Sequence, residues 1–243
     1  MNMIDVYTAF ITVDTTLQPG IHKIPDNVSS VIIHGLDYEN GVSLPKSVNN
    51  IRLINCKSLS KLKYPHKMVE NVVIEGGEMQ RIKVPFTRNF TVKNCADLVD
   101  LYSNEVLQYK FNVRAYNCPK LNIVYLNEVE ADTLLMDNCP DFDVAKSLNF
   151  YQDKDDYGRK KYKYHLCKHL IYKYFPNSKF TIGDVLLRDV TILNSPNITE
   201  MEFPKGENNY RYSSTGIEKL TIGNCPNVAK YNAPANCDFS ING

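Results

Sequence analysis

Apolar and polar residues alternate in short runs along the chain, and six of these runs end in Asn followed by Cys or Ser. In the run VRAYNCPKL, at 113–121, an apolar residue, any residue and a second apolar residue come first, and another apolar residue lies three positions after the Cys. Alternation with a period of two predicts β-strands. Recurrence at about twenty residues predicts a solenoid, in which each coil buries its apolar edge by stacking on its neighbours. The copies span residues 51–59, 90–98, 113–121, 134–142, 190–198 and 220–228.

The alternation assigns each strand side chain to one of two faces. Val113 and Ala115 are predicted to point to the core, whereas Arg114 and Tyr116 point outward. The same rule predicts five more inward pairs, namely Ile51 and Leu53, Phe90 and Val92, Leu134 and Met136, Val190 and Ile192, and Leu220 and Ile222. If the strands stack in parallel, the outward residues line one continuous sheet.

This outward face is the predicted partner-binding surface. Outward apolar residues such as Ile54 and Leu135 are either covered by something or part of a contact surface. Tyr and Arg near the middle of such a face are typical anchors of protein interfaces. The candidate partner-binding residues are Arg52, Ile54, Lys93, Arg114, Tyr116, Leu135 and Asp137.

Prolines mark the return of each coil in the first part of the chain. Pro25, Pro45, Pro65 and Pro85 are spaced twenty residues apart, and proline cannot donate a backbone hydrogen bond to a neighbouring strand. We therefore expect each proline to end a return segment. Residues 1–10 lack the repeat signature and are predicted to cap the first coil. The whole chain, 1–243, is interpreted as a single solenoid domain.

A stretch without the Asn-Cys signature, at 149–179, is predicted to be a helical insertion. Within it, Tyr162, Leu166, Leu170 and Tyr174 recur at every fourth residue, as in the apolar stripe of an amphipathic helix. Three aspartates precede the stripe and favour a helix start through the helix dipole, and a proline follows it. We expect the stripe to pack on the solenoid.

Charge is balanced overall, at a formal net +1, so the whole chain has no strong attraction to nucleic acid or acidic membranes. The insertion is the exception, because residues 157–183 contain seven Lys or Arg and no Asp or Glu. Basic residues interleaved with tyrosines are typical of nucleic-acid surfaces, and they also suit an acidic protein partner. The candidate contacts are Arg159, Lys160, Lys161, Lys163 and Lys168.

The seven cysteines are predicted to be free thiols. Five of them share one slot of the repeat, where Cys packs as a small buried apolar residue. An odd number of cysteines spread along a long chain is unlike the disulfide framework of a small secreted protein. The chain starts without a signal-peptide pattern, and no window reaches the roughly eighteen apolar residues of a membrane span. We therefore expect a cytoplasmic protein that does not bind a membrane.

Metal, cofactor and catalytic sites are not expected. Equivalent cysteines stack in a line, whereas zinc needs four ligands arranged as a tetrahedron. His165 and His169 are four residues apart, but the Glu of the H-E-x-x-H motif is missing between them. Cys167 would lie on a different helix face from both histidines, which argues against a Cys-His nucleophile pair. The chain is therefore predicted not to be an enzyme.

The spacing of Val48, Ile51, Leu53, Cys56, Leu59 and Leu62 resembles the leucine-rich repeat pattern L-x-x-L-x-L-x-x-N/C. The short units ending in proline are similar to those of bacterial effector proteins. This resemblance implies a concave sheet that binds a ligand. The chain departs from the pattern where Ile, Val or Met replaces Leu, and where Gly76 stands in place of Cys. These departures argue against regular horseshoe curvature and leave a shorter β-solenoid as the alternative.

The sequence therefore predicts a non-catalytic protein-binding scaffold that uses the outward face of the stacked strands. The alternative function is nucleic-acid association through the basic insertion helix. Abundant Asn, Lys, Tyr and Ile are typical of AT-rich genomes, such as those of phages, viruses or AT-rich bacteria.

Overall fold

A computed structural model describes residues 8–12, 19–103, 111–126, 131–143, 147, 153–154, 160–161, 167–182, 188–203, 217–232 and 237–242. Within these ranges the chain forms a β-solenoid of stacked parallel strands. In chain order the strands are β1 (Thr8–Thr12), β2 (Gly20–Lys23), β3 (Ser30–His34), β4 (Asn40–Ser43), β5 (Asn50–Ile54), β6 (Leu62–Lys63), β7 (Val69–Glu75), β8 (Arg81–Lys83), β9 (Thr87–Lys93), β10 (Asp100–Ser103), β11 (Asn112–Tyr116), β12 (Ile123–Leu126), β13 (Ala131–Asp137), β14 (Asp153–Lys154), β15 (Lys160–Lys161), β16 (Cys167–Lys173), β17 (Lys179–Thr181), β18 (Asp189–Leu193), β19 (Glu200–Glu202), β20 (Lys219–Gly223), β21 (Lys230–Tyr231) and β22 (Asp238–Asn242).

The largest sheet takes one long strand from each described coil. Its eleven strands lie in the order β1-β3-β5-β7-β9-β11-β13-β16-β18-β20-β22, and neighbouring strands are parallel. Equivalent positions stack in register, so that Val31 pairs with Ile51 and Ile51 pairs with Val72. The predicted solenoid of parallel stacked strands is confirmed.

Shorter strands form the return side of the coils. They group into three parallel sheets of three strands, β2-β4-β6, β8-β10-β12 and β17-β19-β21, and β14 pairs antiparallel with β15. Pro25, Pro45, Pro65 and Pro85 each follow a return strand by two residues. The prolines end the return segments as predicted, because a residue without an N–H cannot extend the hydrogen-bonded ladder.

The core contains the inward side chains of the long sheet. The twelve residues predicted to point inward, Val113 and Ala115 among them, are all 2% exposed or less. Each fully buried aliphatic side chain of this kind contributes about 1.5–3 kcal/mol of hydrophobic stabilisation. The predicted phase of the strands is therefore confirmed.

The Asn of each repeat copy begins the turn that leaves the long sheet. In six copies its φ lies between 50° and 53°, a left-handed conformation that Asn adopts more readily than most residues. The side chains also stack between coils. Asn117 Nδ2 donates to Asn94 Oδ1 at 3.1 Å, and Asn138 Nδ2 donates to Asn117 Oδ1 at 3.0 Å. The Asn slot thus supports both the turn and the contact between coils.

The Cys that follows each Asn is buried, as predicted for this slot. Cys118 is 0% exposed, and its Sγ donates to the carbonyl oxygen of Tyr116 at 3.3 Å. Cys95 makes the same contact with Lys93 at 3.3 Å. All seven cysteines are free thiols, and six of them are buried.

The helix predicted within 149–179 is wrong for the residues described there. Residues 167–173 form β16, which lies inside the long sheet between β13 and β18. Leu170 and Tyr172 are buried two positions apart, so strand alternation and not the four-residue recurrence places these side chains. Tyr174, assigned to the helix stripe, is 53% exposed and has a φ of 53°. It occupies the Asn slot of a coil. Residues 149–152, 155–159 and 162–166 of the predicted insertion lie outside the described residues.

Gly76 occupies the Asn slot of its coil, and not the Cys slot as predicted. Its φ is +66°, and a Cβ there would overlap Asn55 Oδ1. Gly77 follows in the Cys slot, where a Cβ would overlap the carbonyl oxygen of Cys56. The two glycines therefore let this coil approach the preceding one closely.

The predicted N-terminal cap, 1–10, lies only partly within the described residues. Residues 8–10 belong to β1, the first strand of the long sheet, whereas 1–7 are not described, so the N-terminal cap stays a prediction.

In the described part of the chain, no helix has the length and apolar character needed to cross a membrane.

Candidate functional site

The outer face of the long sheet is a surface of stacked, in-register side chains. Along β11, Arg114 lies opposite Thr91 of β9 and Leu135 of β13. Tyr116 lies opposite Lys93 and Asp137 in the same way. Outward residues of successive coils therefore form continuous rows, because the parallel strands keep one register.

Four adjacent strands present a compact group of outward residues that we name the central patch. Leu135 of β13 pairs in register with Ile171 of β16, and Asp137 pairs with Lys173. Leu135 is 9% exposed, and the other members are half-buried. An apolar pair is thus surrounded by polar and charged side chains. The central patch consists of Lys93, Arg114, Tyr116, Leu135, Asp137, Ile171 and Lys173.

Two cations of the central patch form no ion pair among the residues that the structure describes. On β5, Arg52 is already neutralised, because its Nη2 lies 2.7 Å from Glu75 Oε2. In contrast, Lys93 and Arg114 make no ion pair with any described residue. Partial burial raises the pKa of Asp137, and the Lys173 ammonium opposes this shift. The patch therefore carries two cationic groups, Lys93 and Arg114, without an ion-pair partner in the described part of the chain.

Hydrogen-bonded asparagines flank the outer face at the start of the strands. Asn71 Nδ2 donates to Asn50 Oδ1 at 2.7 Å, and Asn89 Nδ2 donates to Asn71 Oδ1 at 3.1 Å. Asn112 Nδ2 continues the row with a 2.9 Å bond to Asn89 Oδ1. The second row, Asn94 to Asn138, lies at the other end of the strands. The two rows fix neighbouring strands on both sides of the surface.

The seven residues predicted to bind a partner all lie on this outer face. Five of them belong to the central patch. Arg52 and Ile54 are on β5, separated from β9 by β7, so they do not adjoin the other five. The sequence prediction missed Ile171 and Lys173. The signal that would have found them is the strand-like alternation in the segment LIYKYFP at 170–176. It is less visible than in other coils because Tyr174 and Phe175 stand where the repeat has Asn and Cys.

The predicted basic cluster is not brought together among the described side chains. Lys168 lies on β16, with its Nζ 3.5 Å from Asp132 Oδ1. Lys160 and Lys161 form β15, for which only the backbone is described. Arg159 and Lys163 lie outside the described residues. Contact of this cluster with nucleic acid or an acidic partner stays a prediction.

Candidate metal ligands and thiols have structural partners in the fold. His169 Nδ1 lies 2.8 Å from Asp189 Oδ2 of the next strand, and His165 is outside the described residues. Within the described ranges, no three His, Cys, Asp or Glu side chains form a group that could hold a metal. Hydrogen bonding to Cys118, together with burial, raises the pKa of Cys95 and Cys139.

Comparisons of this chain with protein-family models, with curated proteins and with solved structures found no match. The assignment of a function therefore depends on the surface and its chemistry.

Proposed function

We propose that the chain is a non-catalytic protein-binding scaffold and that the central patch is its main contact. The observation that carries this proposal is the apolar pair of Leu135 and Ile171, bordered by Tyr116 and by Arg114, which has no ion-pair partner among the described residues. Tyr and Arg around a desolvated centre are the residues that dominate binding energy in protein interfaces.

The proposed partner presents acidic side chains around an apolar residue. Lys93, Arg114 and Lys173 contribute three positive charges to the patch, against one negative charge from Asp137. Complementary charges raise the association rate and orient the encounter. The apolar residue of the partner would cover Leu135 and Ile171, which removes their remaining surface from water.

The size of the outer face supports a protein partner. Eleven strands separated by about 4.8 Å extend over about 48 Å, and a five-residue strand is about 16 Å long. The area of the outer face, taken as the product of these two lengths, is close to the roughly 800 Å² that each partner buries in a standard protein interface. The regular backbone hydrogen bonds of the sheet also hold the surface in place before binding, which lowers the entropic cost of association.

Membership of the leucine-rich-repeat class is part of the proposal. It is supported by the spacing of Ile51, Leu53 and Cys56, which recurs in the stacked coils. A cytoplasmic location is proposed because all seven cysteines are free thiols, a state that a reducing compartment maintains.

Affinity capture with matched variants tests the proposed function. Tagged wild-type chain and the Arg114→Ala/Tyr116→Ala variant are incubated with extract of the source cells, and bound proteins are quantified by mass spectrometry. The control is Lys23→Ala/Lys46→Ala, which removes exposed residues outside the outer face. Two anchors of about 2 kcal/mol each predict that the patch variant loses more than tenfold in capture. Equal capture by all three proteins would rule out the central patch.

A further inference from the structure

A groove opens on the return side of the solenoid, where two of the small sheets meet. The long sheet is continuous through β5, β7 and β9, yet β6 and β8 are not paired with each other. The coil that contains β8 is shorter than the coil before it. Val72 pairs with Phe90, so this coil has 18 residues, whereas the preceding coil, from Ile51 to its partner Val72, has 21. The resulting cavity has a volume of about 920 Å³. This volume is within the range of sites that bind small molecules.

The groove has an apolar floor and a polar rim. Leu62, Met79 and Ile82 line it and are 7%, 8% and 1% exposed, so they belong to the core. Ser58 and Ser60 lie at the rim with their hydroxyl oxygens 2.9 Å apart. An apolar base with a few convergent polar groups is the usual composition of a ligand site.

Positive charge dominates the lining. The cationic side chains of Lys57, Lys67 and Arg81 line the groove together with a single acidic residue, Glu78. Asp100 neutralises Arg81 at 3.1 Å from outside the lining. The groove therefore keeps a positive excess in a chain whose formal net charge is only +1, and that excess favours an anionic ligand.

Flat ring surfaces accompany these cations. Tyr38, Tyr64 and Tyr102 line the groove, and Tyr38 is 69% exposed. The guanidinium of Arg81 lies 5.1 Å from the centroid of the Tyr102 ring, which forms a stacked cation–π pair. Aromatic faces interleaved with cations bind bases by stacking and phosphates by charge.

We propose that the groove between β6 and β8 binds a nucleotide, either free or within a single strand of nucleic acid. The base stacks on the exposed ring of Tyr38, and Lys57 contacts the phosphate. The site is separate from the central patch, because it lies on the return side of the coils and shares no residue with it.

Fluorescence anisotropy tests the proposal with two probes, a labelled oligothymidylate of about eight residues and a labelled adenosine triphosphate. Tyr38→Ala is expected to weaken binding at least about fivefold, because stacking on one base is lost. Lys57→Ala is expected to reduce the slope of log Kd against log salt by about 0.7 for the oligonucleotide. Lys46→Ala, an exposed lysine outside the groove, and Arg114→Ala/Tyr116→Ala should bind as the wild type does.

Each result assigns or excludes the site. Binding of the mononucleotide with the same dependence on Tyr38 identifies a free nucleotide as the ligand, and binding of the oligonucleotide alone identifies a single strand. Absence of saturable binding to either probe overturns the proposal, as does binding that Tyr38→Ala and Lys57→Ala leave unchanged. Tighter binding of heparin that is lost in Tyr38→Ala also overturns it, because the groove would then recognise an anionic sugar polymer.

Discussion

Replacing Asn117 by Gly and by Ala separates the two roles of the Asn slot. Asn117 has a φ of 51°, and its side chain takes part in two hydrogen bonds, one with Asn94 and one with Asn138. Asn117→Gly removes both bonds but fits the left-handed backbone. Asn117→Ala removes the same bonds and also adds the steric cost of that backbone, since Ala carries a Cβ without a polar side chain.

The magnitudes follow from these two contributions. Solvent-exposed hydrogen bonds contribute about 0.5 kcal/mol each, at the low end of the usual range, so Asn117→Gly should lower the free energy of unfolding by about 1 kcal/mol. The left-handed conformation adds about 1–2 kcal/mol for Ala, so Asn117→Ala should lower it by about 2–3 kcal/mol. Glycine is therefore the milder substitution at this position.

Asn112 provides the matched control on the same strand. It also belongs to an Asn row, with a 2.9 Å bond to Asn89, but it lies within β11 and has no positive φ. In an ordinary strand Gly is the costlier substitution, by about 0.5–1 kcal/mol relative to Ala. Equilibrium urea unfolding of the four variants should give opposite orders at the two positions. The same order at both positions would refute the role assigned to the left-handed Asn.

Three further predictions concern the core and its polar atoms. Val113→Asp should unfold the solenoid, because an unpaired buried charge costs several kcal/mol. Arg114→Asp on the outer face should cost under about 0.5 kcal/mol. Similar losses of stability in thermal melts of the two variants would contradict the strand phase. Tyr64→Phe should raise the urea midpoint, because the buried Tyr64 hydroxyl has no hydrogen-bond partner among the described residues. The expected gain in the free energy of unfolding is about 1–3 kcal/mol. A loss of stability would show that the hydroxyl has a partner. The slot cysteines should resist alkylation until the protein is unfolded, and rapid native modification would exclude their burial at Cys56, Cys95, Cys118 and Cys139.

The sequence was sufficient to predict the solenoid and the faces of most strands, because two signals agree in those coils. Alternation places Val113 inward, and the Asn-Cys pair that follows fixes where the strand ends. Strand β16 was missed because Tyr174 and Phe175 replace that pair. Its apolar residues also recur at a helical interval, and only the pairing with β13 and β18 decides in favour of a strand.

The candidate sites were only partly predictable for related reasons. Five residues of the central patch follow from alternation, but Ile171 and Lys173 depend on recognising β16 as a rung of the sheet. The groove on the return side gives no sequence signal. Return strands of two to four residues are too short to show alternation, and the cavity arises where β6 and β8 fail to pair.

Site-specific photo-crosslinking tests the proposed scaffold function most directly. A photoreactive amino acid is placed at position 116, in the central patch, and separately at position 38, on the return side, and each protein is irradiated in extract of the source cells. We predict a defined protein adduct from position 116 that an added Arg114→Ala substitution greatly reduces, and no such protein adduct from position 38. A protein adduct that forms only from position 38 would contradict the proposal that the outer face of the long sheet binds the partner.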